Sequence, residues 1–128
     1  MANKKILIVE DESDILVTLQ ILLQSEGFDV ITATDGMEAL NKVKSGSPSL
    51  IILDLMIPKL DGYKVCRILK FDERFNKIPI IIITARAQES DKEKSKEVGA
   101  DYYITKPFEP EELLSKIKEF LKPAPNLP

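Results

Sequence analysis

The chain has 128 residues, 44% of them hydrophobic, with 18 basic and 21 acidic side chains and a net charge of −3. That is room for one domain around one core, and it leaves no basic field with which to bind nucleic acid or an anionic membrane. Histidine is absent and Cys66 is the only cysteine, which excludes His-ligated metals, His-based triads, phosphohistidine carriers and a disulfide framework.

The start, Met1-Ala2-Asn3-Lys4-Lys5, has no signal-peptide core. Lys5 to Val9 then reads as a buried strand that ends on Glu10-Asp11-Glu12. Asp14 to Leu23 has helical period behind a Ser13 or Asp14 cap and stops at Gly27. A second strand, Asp29 to Thr32, leads to a helix from Asp35-Gly36 to Gly46 with Ala39, Leu40 and Val43 on one face. Leu50 to Leu53 is the third strand, followed directly by Asp54 and later by Pro58. The third helix is expected from about Gly62 to Asp72, with Cys66 as a small core residue.

Ile80 to Ile83 is the fourth strand, followed by Thr84. The helix expected from Ser90 to Val98 carries Lys92, Glu93, Lys94, Lys96 and Glu97, so it is strongly charged and weakly apolar. Tyr102 to Thr105 is the fifth strand, and Lys106-Pro107 follows it, where a cis bond would turn the ammonium back over the strand ends. The last helix starts at Pro110, buries Leu113, Leu114, Ile117, Phe120 and Leu121, and stops at Pro123. The domain is expected to be residues 4–121, with the proline-rich 122–128 as a disordered tail or linker stub. No apolar run reaches the ~20 residues of a membrane span, so a cytoplasmic, reducing location is expected.

Five strands alternating with five helices give right-handed crossovers and a parallel sheet covered on both faces. The expected fold is a doubly wound α/β three-layer sandwich, (βα)5 and flavodoxin-like, with sheet order 2-1-3-4-5. All carboxyl ends of the strands then open on one edge, where Glu10, Asp11, Asp54, Thr84 and Lys106 converge. Taken singly, each has an ordinary explanation: helix caps for the acidic residues, a strand former for Thr84, a solvated cation for Lys106. Their joint occurrence at successive strand ends outweighs those. Asp11 and Asp54 can hold Mg2+ or Mn2+, with Glu10 acting through water. Asp54 can then attack a phosphoryl group in line, while Lys106 and Thr84 bind the remaining oxygens.

These residues sit in segments that resemble the receiver domain of two-component response regulators, close to the chemotaxis-regulator type and to receivers of winged-helix transcription regulators. The matching stretches are Ile6 to Glu12, Leu53 to Pro58 with Asp61-Gly62, Ile83-Thr84-Ala85, and Gly99-Ala100-Asp101 through Thr105-Lys106-Pro107-Phe108. The resemblance implies Asp54 as phosphoacceptor and Glu10 and Asp11 as the acidic metal pair, Glu10 replacing the usual aspartate. It also implies the Met56 backbone carbonyl as a metal ligand, Thr84 as switch hydroxyl, Lys106 as phosphate-binding cation and Tyr103 as the aromatic that reports the state. It implies, too, a histidine kinase or histidine phosphotransfer protein as donor, and self-catalysed phosphorylation and dephosphorylation.

Lys92, Glu97, Glu112 and Lys116 resemble positions through which transcription-factor receivers form homodimers on the fourth helix, fifth strand and fifth helix, although Tyr102 replaces a second aspartate of that pattern. Met56 and Arg86 offer no carboxylate or amide to position an attacking water, so a long-lived acyl phosphate is expected. Three competing readings are weaker. A small Asp-nucleophile phosphohydrolase needs a DxDxT-like segment after the first strand, and Glu10 to Asp14 does not supply one. A flavin binder needs a Ser/Thr/Gly phosphate loop where this chain is acidic. A pseudo-receiver scaffold would not be expected to keep the whole set.

Overall fold

The computed structural model describes residues 4–121; the expected tail, 122–128, lies outside them. Five strands alternate with five helices: β1 Lys5–Val9, α1 Ser13–Ser25, β2 Asp29–Ala33, α2 Gly36–Gly46, β3 Leu50–Leu53, α3 Gly62–Lys70, β4 Ile80–Thr84, α4 Glu89–Glu97, β5 Tyr102–Thr105 and α5 Pro110–Leu121. The strands form one parallel sheet in the order β2-β1-β3-β4-β5, as the apolar runs led us to expect.

Because side chains alternate along a strand, each run of isoleucines and leucines supplies both faces. Leu7, Val9, Ile51, Leu53, Ile80 and Ile82 pack with Ala39, Val43, Val65, Cys66 and Leu69 on the side of α2 and α3. Ile6, Ile8, Leu50, Ile52, Ile81, Ile83 and Ile104 pack with Leu19, Leu23, Leu113 and Ile117 of α1 and α5. The Cys66 thiol is fully buried, and that burial pushes its pKa up to about 12, so it is an unreactive core residue.

Several boundaries differ by a residue or two from the sequence expectation, α4 for example running Glu89–Glu97 and β2 reaching Ala33. α3 ends at Lys70, where the Lys70 ammonium turns to the Ile78 carbonyl at 2.8 Å and to Asp101 at 2.8 Å. Thr84 is the last residue of β4 and pairs with Thr105, so it belongs to the ladder instead of following it. α1 is capped by Glu12 without a side-chain capping bond, in place of Ser13 or Asp14. Its amide donates instead to Glu10 Oε2 at 3.2 Å. No described helix is long and apolar enough to cross a membrane.

Candidate functional site at the carboxyl edge of the sheet

β1 and β3 are neighbours in the sheet, and the Asp54 amide donates to the Val9 carbonyl at 3.0 Å. That pairing sets Asp54 beside the Glu10 position. Both side chains are buried, Glu10 at 2% and Asp54 at 4% exposure, with Thr84 fully buried next along the edge. The Lys106 amide donates to the Thr84 carbonyl at 2.8 Å, and the Lys106–Pro107 bond is cis, as anticipated. The ammonium lies over the strand ends, 2.6 Å from Glu10 Oε1, 2.8 Å from Asp54 Oδ2 and 3.8 Å from Glu12 Oε1. The other Asp54 oxygen, Oδ1, accepts the Met56 amide at 3.0 Å.

One cation thus faces three carboxylates, and the electrostatics record the imbalance. Burial is the main cause that lifts Glu10 from 4.5 to about 7; the Lys106 hydrogen bond pulls it down and the neighbouring Asp54 charge raises it. Burial by itself would lower the Lys106 pKa, but its hydrogen bonds to Asp54 and Glu10 and the charges of those two carboxylates together outweigh that and leave it raised. Glu10, Glu12 and Asp54 each offer an oxygen within 4.8 Å of the others. An all-oxygen donor set carrying surplus negative charge fits a hard divalent cation such as Mg2+.

Most of the expected residues are brought together. Asp11 is the exception: it lies outside the group of three carboxylates, which Glu12, likewise exposed, joins. By sequence Glu12 lies in the acidic motif without an assigned role. Its only signal was its place at the α1 cap, where the chain turns back toward Glu10. Tyr103 is half-buried against the core, and its hydroxyl donates to the Arg86 carbonyl. Burial, with the nearby Asp91 charge, pushes that phenol up to about 12.

The Arg86 amide in turn donates to Thr84 Oγ1 at 3.4 Å, so one residue touches both the threonine and the tyrosine. Its guanidinium lies 3.4 Å from Asp91, which also accepts the Tyr63 hydroxyl at 2.9 Å. On the α4–β5–α5 face, Tyr102 donates to Glu112 at 3.0 Å and Lys116 lies 4.6 Å from the centre of its ring. The aspartate replacement therefore engages Glu112 and Lys116 within the chain. Lys92 pairs with Glu89 at 3.8 Å along its own helix.

A doubly wound sheet with a buried carboxylate, a threonine and a lysine at successive strand ends defines a class of signalling domains. The chain belongs to the response regulator receiver domain family, whose model matches residues 6–118, and it is a receiver domain of the two-component type. It is 48% identical over 120 residues to the alkaline phosphatase synthesis transcriptional regulatory protein PhoP of Bacillus subtilis, covering 94% of this chain and 49% of that protein. The chain thus spans about half the length of that regulator.

Among solved structures, it superposes on the Vibrio cholerae chemotaxis protein CheY4 with a TM-score of 0.87, 32% identity and coverage of 94% and 100% of the two chains. The receiver domain of the sensor histidine kinase PA1611 from Pseudomonas aeruginosa, with a magnesium ion coordinated in its active-site cleft, gives a TM-score of 0.85 at 31% identity. That match covers 93% of this chain and 98% of the other.

Proposed function

We propose that this receiver domain, residues 4–121, is a cytoplasmic switch that takes a phosphoryl group onto Asp54 from the phosphohistidine of a kinase or phosphotransfer protein. The observation that carries the reading is the buried Lys106 ammonium held between Asp54 and Glu10 at 2.8 and 2.6 Å. A cation there costs desolvation and is worth retaining where a dianionic group arrives. The residues that would hold Mg2+ or Mn2+ are Asp54, the Met56 carbonyl and the acidic end of β1. There the resemblance points to Asp11 with Glu10, and the geometry supports adding Glu12. When bound, the cation would neutralise phosphoryl oxygens and the carboxylates around them.

The chain's own groups do the rest. A carboxylate oxygen of Asp54 forms the new O–P bond as the donor's N–P bond breaks, and the departing imidazole takes up a proton. Lys106 has three N–H donors, so it can keep Glu10 while exchanging an Asp54 oxygen for a phosphoryl oxygen. The Thr84 hydroxyl, free to donate, is drawn to the same group. Because Arg86 touches both Thr84 and Tyr103, that movement is felt at the tyrosine and then at the α4–β5–α5 face, through which a target or a second copy would read it. Met56 is 55% exposed and the Arg86 guanidinium is turned to Asp91. Neither side chain offers a carboxylate or amide to position an attacking water, which supports slow hydrolysis.

The test is intact mass after incubation with Mg2+ and acetyl phosphate or phosphoramidate. One added phosphoryl group, absent in Asp54→Asn and retained for minutes or longer, is expected. No mass gain in the wild-type chain would favour a scaffold without phosphorylation, and continuous phosphate release with turnover would favour a phosphohydrolase. Loss of the label within seconds would overturn the slow-hydrolysis reading alone.

A further inference from the structure

The turn between β3 and α3, which carries Met56, is held by groups that the reading above leaves without a role. Lys59 has a φ of +69°, and the Leu60 amide donates to the Pro58 carbonyl at 2.8 Å. A three-residue turn closed around a left-handed, non-glycine residue is the rare γ form, which persists only when its surroundings hold it.

What holds it is α2. The Pro58 oxygen also accepts the Gly36 amide, at 3.2 Å, from the first turn of that helix, where amides have no intrahelical acceptor. Asp35 caps the same turn by accepting the Glu38 amide at 2.8 Å, and its second oxygen lies 3.5 Å from Lys59 Nζ. Gly36 leaves no space in the contact: a Cβ there would lie 2.1 Å from the Leu60 carbonyl oxygen and 2.7 Å from the Leu60 Cβ. The other limb is seated as closely. The Gly62 amide donates to the Leu55 carbonyl at 3.1 Å, and a Cβ at Gly62 would lie 2.6 Å from the backbone oxygen of Asp54.

We propose that Gly36 is a positioning residue for the metal site. The first turn of α2 sets the β3–α3 turn, and through it the Met56 carbonyl, relative to Asp54 and the β1 carboxylates. The inference rests on the metal reading above. Mg2+ requires near-octahedral oxygen ligands at about 2.0–2.1 Å, so a small displacement of one carbonyl weakens binding although no ligand has changed. Gly36 acts at a distance, by the closeness of its backbone to Leu60 and Pro58. A side chain there would push the turn, and the strained Lys59 gives it little freedom to absorb the push.

The test is Mn2+ binding to the whole chain without a phosphodonor, followed by loss of the free-ion EPR signal, with urea unfolding measured on the same samples. Gly36→Ala is expected to weaken Mn2+ binding at least tenfold. Adding Lys59→Gly to it should recover threefold or more, because a glycine at that position lets the turn absorb the displacement before it reaches Met56. A folded Gly36→Ala protein that binds within twofold of wild type overturns the proposal, since a merely structural role lowers only the urea midpoint. A double variant as weak as the single one overturns transmission through the turn.

Should Gly36→Ala fail to fold, Asp35→Ala decides, because it loosens the same helix turn without inserting atoms. Three- to fivefold weaker binding is expected of it, and unchanged binding overturns the proposal. Wild-type protein that does not bind Mn2+ overturns the metal reading and this inference with it. That outcome is distinct from wild-type binding that the variants leave untouched.

Discussion

Glu10 is the residue whose ionisation the fold changes most usefully. Its pKa rises from 4.5 in an exposed chain to about 7 in the folded one, chiefly by burial. Between those values the folded state holds a proton that the unfolded state has released. Stability from this group is therefore complete below about pH 4.5 and is lost as pH rises through 7. The full span is about 3 kcal/mol at 1.36 kcal/mol per pKa unit. Lys106 stays charged throughout, because its own pKa is raised above 10.5 and its contribution is lost only in more alkaline solution. In metal-free buffer with a chelator, urea unfolding is expected to show stability falling from pH 5 to 8, and Glu10→Gln should flatten that slope. A wild-type stability that is level across this range would contradict the charge imbalance. That Glu10 and Lys106, 96 positions apart, meet at one edge is expected from strand order; their direct pairing, and Glu12 standing in the acidic group without Asp11, are not. Which of three adjacent acidic side chains lies near Asp54 depends on how the backbone leaves β1 and enters α1, and a run of carboxylates carries no mark of that turn.

Among the helices, α4 has the least apolar burial to hold it. Its only buried position is Ser95, at 1% exposure, and among the described residues the Ser95 hydroxyl has no hydrogen-bond partner. An unsatisfied buried hydroxyl costs about 1 kcal/mol or more, and alanine is the better helix former. Ser95→Ala is therefore expected to stabilise the protein by about 1 kcal/mol, read as a higher urea midpoint with an unchanged slope. A lower midpoint would mean that the hydroxyl has a partner after all. The charged, weakly apolar character of this helix was legible in Lys92 to Glu97. Its tethering was not, because the Tyr63 hydroxyl that reaches Asp91 comes from α3, 28 residues earlier. A lightly packed helix beside Tyr103 is suited to movement, since low local stability is what permits rearrangement.

For the molecule as a whole, the proposed metal binding would be linked to folding. A cation that binds only the folded chain stabilises it by about 2.7 kcal/mol at a hundred times its dissociation constant. Mg2+ is thus expected to raise the unfolding midpoint at neutral pH, and Asp54→Asn should abolish most of that gain. An equal gain in both proteins would place the ion elsewhere. The amino-acid sequence by itself determined the fold class, the sheet order and the members of the edge cluster other than Glu12. Unbroken apolar runs of four or five residues between amphipathic helices admit few packings, and parallel strands deliver their next residues to one edge. Only the tertiary structure decided that Glu12 joins the carboxylates, that Arg86 links Thr84 to Tyr103, and that Gly36 grips the turn after Asp54. Those contacts join segments distant in sequence or depend on backbone paths through turns, where identity and spacing do not set direction and only close packing does.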